Sequence, residues 1–221
     1  MQTGYLALWD PLSAVIFDFD DTLALTMKTR WSALIVTARA FDWEINGEMI
    51  EASWGKPFGE LIGDLLPAVN LHAFVEVYKQ TMREFPPSAA PGAVALLEYL
   101  HRRHMRIDIL TSSSRDLVRQ DLESLRLTRY VDGIWGFEET SPHFKPSAEV
   151  LQPVLSALYS QGLQRSMIVY VGDSLKDWEV ARANQLKFIA VTSGLEGEDA
   201  FRSHGLPQEC IVGSLEELVP A

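Results

Sequence analysis

Short apolar runs recur along the chain, and each leads into a turn followed by a stretch of helical periodicity. Continuous apolar runs of this length predict strands that are buried on both faces. The strongest are residues 14–19, 106–110, 167–171 and 188–191, and weaker ones cover 134–137 and 211–212. Helical spacing follows Pro91-Gly92, covers residues 117–125 and runs from about 147 to 160. Strands that alternate with helices predict an α/β fold with a mostly parallel sheet covered by helices on both faces.

The alternation is interrupted by one long helical segment, residues 24–88, which contains no clear strand. Pro86-Pro87-Ser88 marks the return to the alternating pattern. We therefore expect a discontinuous α/β domain, residues 1–23 and 89–221, and an inserted helical domain, residues 24–88. Because the insert follows the first strand, we expect it to act as a lid above the carboxyl end of that strand. An ordinary helical subdomain without a gating role is the alternative.

Composition narrows the classes of partner and compartment. The 221 residues are 47% hydrophobic and 22% charged, as in globular proteins that bury a core, and the net charge of −11 disfavours nucleic acid and anionic membranes as partners. No apolar stretch approaches the ~20 residues of a membrane span, and residues 1–11 lack the pattern of a signal peptide. Cys210 is the single cysteine. We expect a cytoplasmic protein, and both a monomer and a homodimer are compatible with the sequence.

An acidic cluster directly follows the first predicted strand. Asp18, Asp20 and Asp21 lie within four residues, where like charges repel and burial disfavours ionisation further. A bound divalent cation or a proton retained by one acid would relieve this repulsion. In a continuing strand, Asp18 and Asp20 point to the same side, which suits one ionised nucleophile and one proton donor. The alternative is an acidic turn in which Asp21 and Thr22 cap a helix.

Hydroxyl groups and a lysine follow later along the chain. Thr111, Ser112 and the two serines after them follow the strand at 106–110, where hydroxyls and free backbone N–H groups can bind phosphate or simply cap the next helix. Lys145 precedes Pro146 and would balance charge beside a phosphate, although such a lysine is commonly a solvated loop residue.

A Gly-Asp turn ends the strand predicted at 167–171. Gly172 permits a tight turn, and Asp173 then lies at the carboxyl end of a strand, where it suits a hard cation. Ser174 and Asp177 also have the spacing of a capping box, which explains these two residues but not Asp173. Together, the acids, hydroxyls, lysine and Gly-Asp turn follow four strands whose ends share one sheet edge, so we expect a functional site there.

In these four elements the chain resembles the haloacid dehalogenase-like hydrolase superfamily. Its signature positions are matched, in order, by Asp18-x-Asp20-x-Thr22, Thr111, Lys145 and Gly172-Asp173-x-x-x-Asp177. The helical insert is similar in position and size to the small cap of the phosphoglycolate phosphatase-like and β-phosphoglucomutase-like branch. The resemblance implies a Rossmann-like three-layer core with a small all-helical cap inserted after the first strand.

The resemblance also implies a Mg²⁺-dependent phosphatase that acts on a small phosphorylated metabolite. In that mechanism Asp18 forms an aspartyl-phosphate and Asp20 is the general acid and base. The roles of the remaining positions are implied in the same way. Mg²⁺ would be held by Asp18, the Asp20 backbone carbonyl and Asp173. Phosphate would be bound by Thr111, Ser112 and Lys145, and the site would be supported by Thr22 and Asp177.

Two features leave alternatives open. Asp21 stands where the family usually has glycine, and the cap loop around Trp54 and Lys56 is either a specificity loop or a helix-connecting turn. Asp20 argues against dehalogenation, since dehalogenases of the superfamily lack that second aspartate. A phosphomutase, and a catalytically silent binding module on the same fold, remain the alternative functions.

Overall fold

A computed structural model of the chain describes residues 9–54 and 56–220. Contacts divide it into two compact units. The α/β unit extends to Leu25 and resumes at Ser88, and the helical unit is Thr26–Pro87. No helix in the described part of the chain is both long and apolar enough to cross a membrane.

The α/β unit is built on a six-stranded parallel sheet. Its strands are β1 (Ala14–Phe17), β4 (Arg106–Leu110), β5 (Gly133–Trp135), β6 (Ile168–Gly172), β7 (Lys187–Val191) and β8 (Ile211–Val212). They lie in the order β5-β4-β1-β6-β7-β8 across the sheet. The predicted fold class is confirmed. Strand β1 ends two residues earlier than predicted, at Phe17, so the acidic cluster lies entirely beyond the strand.

Alternate residues of β1 enter two different cores, one on each face of the sheet. Val15 and Phe17 belong to one apolar cluster, whereas Ala14 and Ile16 belong to the other. All four are fully buried, as expected for the central strand of a sheet covered on both faces. In register, Phe17 lies between Ile109 of β4 and Val171 of β6, so the three strands end together at one edge.

The helical unit has its own apolar core, formed by residues such as Leu34, Ile62 and Phe74. Its helices are α1 (Met27–Ala40), α2 (Gly47–Ser53), α3 (Phe58–Leu65) and α4 (Leu71–Thr81). Asn46 and Asn70 cap α2 and α4 by accepting hydrogen bonds from backbone N–H groups in the first turn.

A short antiparallel ladder, β2 (Ala24–Leu25) with β3 (Ser88–Ala89), lies where the chain leaves and re-enters the α/β unit. The sequence pattern did not predict it. The helical unit therefore lacks Ala24, Leu25 and Ser88, which the predicted boundaries of 24–88 include. The function of the helical unit as a lid stays a prediction.

Helices connect the strands of the parallel sheet. They are α5 (Ala93–Arg102), α6 (Arg115–Ser124), α7 (Phe137–Thr140), α8 (Gln152–Ser160), α9 (Leu175–Ala183) and α10 (Glu198–Ser203). The helix predicted at 147–160 is divided into a 3₁₀ turn, Ala148–Leu151, and α8. Pro153 lies in the first turn of α8, where a residue without a backbone N–H fits, so the helix begins there.

Candidate active site

The acidic cluster begins where β1 leaves the sheet. The backbone N–H of Asp18 donates to the carbonyl of Val171, which holds Asp18 beside the end of β6. Asp21 has a φ of 58°, a left-handed conformation in which aspartate is tolerated and glycine is favoured. This conformation gives a physical reason for the glycine that the family usually has here.

Lys145 joins the first acid to the last. Its ammonium group lies 2.6 Å from Oδ1 of Asp18, 2.7 Å from Oδ1 of Asp177 and 3.0 Å from the carbonyl oxygen of Leu110. The Lys145 side chain is only 7% exposed. The alternative of a solvated loop lysine is therefore wrong. The peptide bond between Lys145 and Pro146 is cis.

Burial and charge act in opposite directions on this cluster. Burial raises the pKa of Asp18, and the nearby acids raise it further, while Lys145 lowers it; the result is a pKa well above the usual range. Burial alone would lower the pKa of Lys145, but Asp177 and Asp18 outweigh it and raise that pKa. The pKa of Asp177 is lowered because Lys145 and its hydrogen-bond donors outweigh the effect of burial. Lys145 therefore balances the charge of Asp177, whereas the pKa of Asp18 stays raised despite its contact with the lysine.

Two neutral donors hold the Asp173 carboxylate. Its oxygens accept hydrogen bonds from Thr22 Oγ1 (3.1 Å) and from the Leu195 backbone N–H (2.8 Å).

 Both donors are neutral groups, so they orient the carboxylate without balancing its charge. Burial is the main reason that the pKa of Asp173 is raised to about 7, and Asp177 and Asp21 add to the effect. Thr22 does not cap a helix, since α1 begins after Thr26.

The donor set fits a hard divalent cation. Asp18, Asp173 and Asp177 each place a carboxylate oxygen within 4.8 Å of the other two, and all three residues are buried. Carboxylate oxygens are the ligands that Mg²⁺ prefers, and one ion can bridge oxygens at this separation. Since Asp177 already accepts hydrogen bonds from Lys145, Tyr170 and Ser174, Asp18 and Asp173 are the acids best placed to hold the ion.

The carboxylate of Asp20 faces the hydroxyl turn after β4. Its Oδ2 accepts hydrogen bonds from Thr111 Oγ1 (3.3 Å) and Ser113 Oγ (2.8 Å). Ser112 is exposed, and Ser114 caps α6 by accepting from the Leu117 N–H. Ser114 is therefore the helix cap, and Thr111 lies next to an acid of the cluster. Phosphate binding by this turn stays a prediction.

Asp177 completes the capping box predicted for the Gly-Asp turn, with Ser174 as its partner. It also accepts a hydrogen bond of 2.6 Å from the hydroxyl of Tyr170, a fully buried residue of β6. A carboxylate that serves as a helix cap thus also holds Lys145. The structure brings the predicted site residues together; Ser112 is exposed and lines a small cavity with Thr111 and Lys145.

Tyr170 and Gly194 were not predicted to contribute to the site, and Ser113 was predicted only as one hydroxyl of the turn after β4. Tyr170 and Ser113 contact Asp177 and Asp20, and Gly194 leaves room for Asp173, since a Cβ at Gly194 would lie 2.1 Å from Asp173 Oδ2. The glycine after the predicted strand at 188–191 was a usable signal. Tyr170 resembles an ordinary residue of a buried strand, so the pattern contains no comparable indication of its contact with Asp177.

Comparison with known proteins identifies the family. The family model described as haloacid dehalogenase-like hydrolase matches residues 15–191, and the chain belongs to this family of enzymes. The chain is 27% identical to phosphoglycolate phosphatase 1 of Pseudomonas aeruginosa, covering 93% of this chain and 78% of that protein. It is 26% identical to a phosphoglycolate phosphatase of Synechococcus elongatus, over 83% of this chain and 85% of the relative.

A solved structure confirms the fold. The crystal structure of CbbY from Rhodobacter sphaeroides in complex with phosphate matches with a TM-score of 0.76 at 20% sequence identity, covering 94% of this chain and 96% of that one. At this level of identity the likeness supports the architecture alone.

Proposed function

We propose that the protein is a Mg²⁺-dependent phosphatase that hydrolyses a small phosphate monoester through an aspartyl-phosphate. The observation that carries this proposal is the convergence of Asp18, Asp173 and Lys145, with Asp20 beside them, at one edge of the sheet. The family supports the reaction class, and the curated relatives are named phosphatases.

Asp18 is the proposed nucleophile. One of its oxygens forms a bond to phosphorus while the bond between phosphorus and the leaving oxygen breaks, and Asp20 gives its proton to that oxygen. In the second stage, the Asp20 carboxylate takes a proton from water, whose oxygen bonds to phosphorus as the bond to Asp18 breaks. The contact with Lys145 fixes the Asp18 carboxylate and favours its ionised form.

Positive charge is the other requirement of the site. A Mg²⁺ ion held by Asp18, Asp173 and the Asp20 backbone carbonyl would supply charge neutralisation for the phosphoryl oxygens. Lys145 adds a second positive charge, and Thr111 and Ser112 are the proposed hydrogen-bond donors to the phosphoryl group. Local cations are needed here because the net charge of −11 repels an anionic substrate.

We propose that the helical unit serves as a cap and selects the substrate. A small phosphorylated metabolite is the proposed substrate class, since the named relatives include phosphoglycolate phosphatases. A panel of phosphorylated metabolites, scored by released inorganic phosphate, would identify the substrate. A phosphomutase would instead isomerise a sugar phosphate without net phosphate release.

The decisive experiment is hydrolysis of p-nitrophenyl phosphate with and without Mg²⁺. We expect turnover that requires Mg²⁺ and that falls by at least about 1,000-fold in Asp18→Asn, because the nucleophile is lost. Asp116→Asn is the matched control, since Asp116 is an exposed residue of α6. Metal-independent turnover, or an Asp18→Asn variant as active as the control, would contradict the proposal.

A further inference from the structure

The hydrogen-bonding capacity of Asp177 is filled, although it is one of the three buried acids that lie within reach of one cation. Its Oδ1 accepts from the Tyr170 hydroxyl at 2.6 Å and from the Lys145 ammonium group at 2.7 Å. Its Oδ2 accepts from the Ser174 hydroxyl at 2.6 Å and from the Ser174 backbone N–H at 3.2 Å. Because a carboxylate has about four acceptor positions, two on each oxygen, these donors occupy all of them.

The other two acids retain acceptor positions. Within residues 9–54 and 56–220, the carboxylate of Asp18 accepts a hydrogen bond from Lys145 at one oxygen. Asp173 accepts one hydrogen bond at each oxygen, from Thr22 and from the Leu195 N–H. Both carboxylates can therefore accept further contacts, and a cation at this site finds two available acids and one that is fully occupied.

The hydroxyl of Tyr170 reaches Asp177 from a fixed position. Tyr170 is fully buried in β6, where its ring packs edge-on against Phe188 and lies 5.6 Å from the ammonium group of Lys145. Asp177 belongs to the capping box of α9, and a Cβ at Gly172 would lie 2.8 Å from its Oδ2. The carboxylate therefore packs directly against the end of β6, and burial holds both partners of this hydrogen bond in place.

We propose that the Tyr170 hydroxyl makes the site selective for Mg²⁺ over Ca²⁺ by keeping Asp177 from becoming a third carboxylate ligand, an inference that rests on the proposed function. Mg²⁺ requires octahedral geometry, retains water and is commonly held by about one or two carboxylates, whereas Ca²⁺ takes about 6–8 oxygens and binds more tightly as carboxylates are added. Lys145 is shared with Asp18, so Tyr170 is the donor on Oδ1 that is dedicated to Asp177. Tyr170 is thus a positioning residue.

The test is the ratio of the dissociation constants for Ca²⁺ and Mg²⁺, measured by calorimetric titration of metal-free protein with each chloride salt. For Tyr170→Phe we expect the Kd for Ca²⁺ to fall by about 10-fold relative to that for Mg²⁺, because an acceptor position opens on Asp177. Phenylalanine keeps the ring and its packing against Phe188, so the change is confined to the hydroxyl.

Three further variants make the result interpretable. Tyr130→Phe is the matched control, since Tyr130 is also buried but its hydroxyl accepts a hydrogen bond from Arg129. Adding Asp177→Asn to Tyr170→Phe should abolish the gain in Ca²⁺ binding, because the added ligand loses its charge. Asp177→Asn by itself should leave the ratio unchanged, because Asp177 is not a ligand while Tyr170 is present. This last variant tests the inference even where Tyr170→Phe does not fold.

Each outcome has one meaning. A ratio in folded Tyr170→Phe equal to that of the wild type, or a gain in Ca²⁺ binding that persists in the double variant, would overturn the inference and leave the phosphatase proposal intact. A selective loss of Ca²⁺ binding in Asp177→Asn would also overturn it, since Asp177 would then already be a ligand. A wild-type protein that binds neither ion would overturn both proposals. Because both constants are measured on one protein sample, a fraction of misfolded protein does not change their ratio.

Discussion

At the scale of single residues, the charge balance of the site depends on Lys145. Its ammonium group contacts both Asp18 and Asp177, and the three side chains are almost entirely shielded from water. Removing one partner of a buried ion pair leaves the other charge without compensation, which costs far more than the pair contributes.

We expect Lys145→Met to lower the free energy of unfolding by about 3–5 kcal/mol without Mg²⁺ and to abolish activity. Urea denaturation in the presence of a chelator measures the loss. Lys187→Met is the control, since Lys187 is exposed at the start of β7. A Lys145 variant as stable as the control would show that the carboxylates do not need the lysine.

Gly194 is a second residue with a specific requirement, namely space. In Gly194→Ala the added Cβ would lie 2.5 Å from Asp173 Cγ, so the carboxylate must move. We expect Mg²⁺-dependent activity to fall by about 100-fold, as for other displacements of roughly 1 Å in a catalytic group. Gly197→Ala is the matched control because nothing lies within 4 Å of its added Cβ. Equal activities of the two variants would contradict this prediction.

Whether a residue of the site could be predicted from the sequence depends on its chemistry. Asp18, Asp20, Lys145 and Asp173 could be predicted because charged groups at the ends of apolar strands have few structural explanations. The contact of Ser113 with Asp20 could not be predicted, because a serine before a helix is common and the contact depends on how two loops meet.

At the scale of elements, the edge strand β5 is held to β4 by a buried polar network. Asp108, fully buried on β4, accepts hydrogen bonds from the Trp135 indole at 2.9 Å and from Arg106. Since the Trp135 carbonyl also accepts a hydrogen bond from the Thr111 N–H, this network connects the edge of the sheet to the candidate site.

We expect Trp135→Phe to lower the free energy of unfolding by about 1.5–3 kcal/mol, because a hydrogen bond to a buried charged group is lost. Guanidinium denaturation measures it, and Trp43→Phe makes the same chemical change in the helical unit as a control. No difference between the two variants would mean that Arg106 alone satisfies Asp108.

The elements also show where sequence patterns stop being informative. Apolar runs predicted all six strands of the parallel sheet, because strands buried on both faces are continuously apolar. The ladder of β2 and β3 was missed because strands of two residues contain no periodicity. Their pairing is determined by where the two chain segments meet, which no local pattern records.

At the scale of the whole molecule, repulsion among buried acids is a cost that a bound cation removes. We expect Mg²⁺ at 100 times its Kd to raise the melting temperature by about 5–10 °C, equivalent to roughly 2.7 kcal/mol of binding free energy. Thermal unfolding of metal-free protein with added MgCl₂ measures the shift.

Asp173→Asn is the corresponding variant, and we expect it to show no such rise because it removes one of the two carboxylates best placed to hold the ion. Asp116→Asn should behave like the wild type. A rise of equal size in the Asp173 variant would place the ion elsewhere in the molecule.

The ladder of Ala24 with Ala89 and Leu25 with Ser88 has a consequence for the history and engineering of this chain. It brings the two crossings between units side by side, at the spacing of neighbouring antiparallel strands. A segment whose ends are tied together in this way can be shortened, lengthened or exchanged for another without altering the register of the parallel sheet. Under the proposal that the helical unit selects the substrate, catalytic chemistry and substrate preference can then diverge independently, as two exchangeable modules.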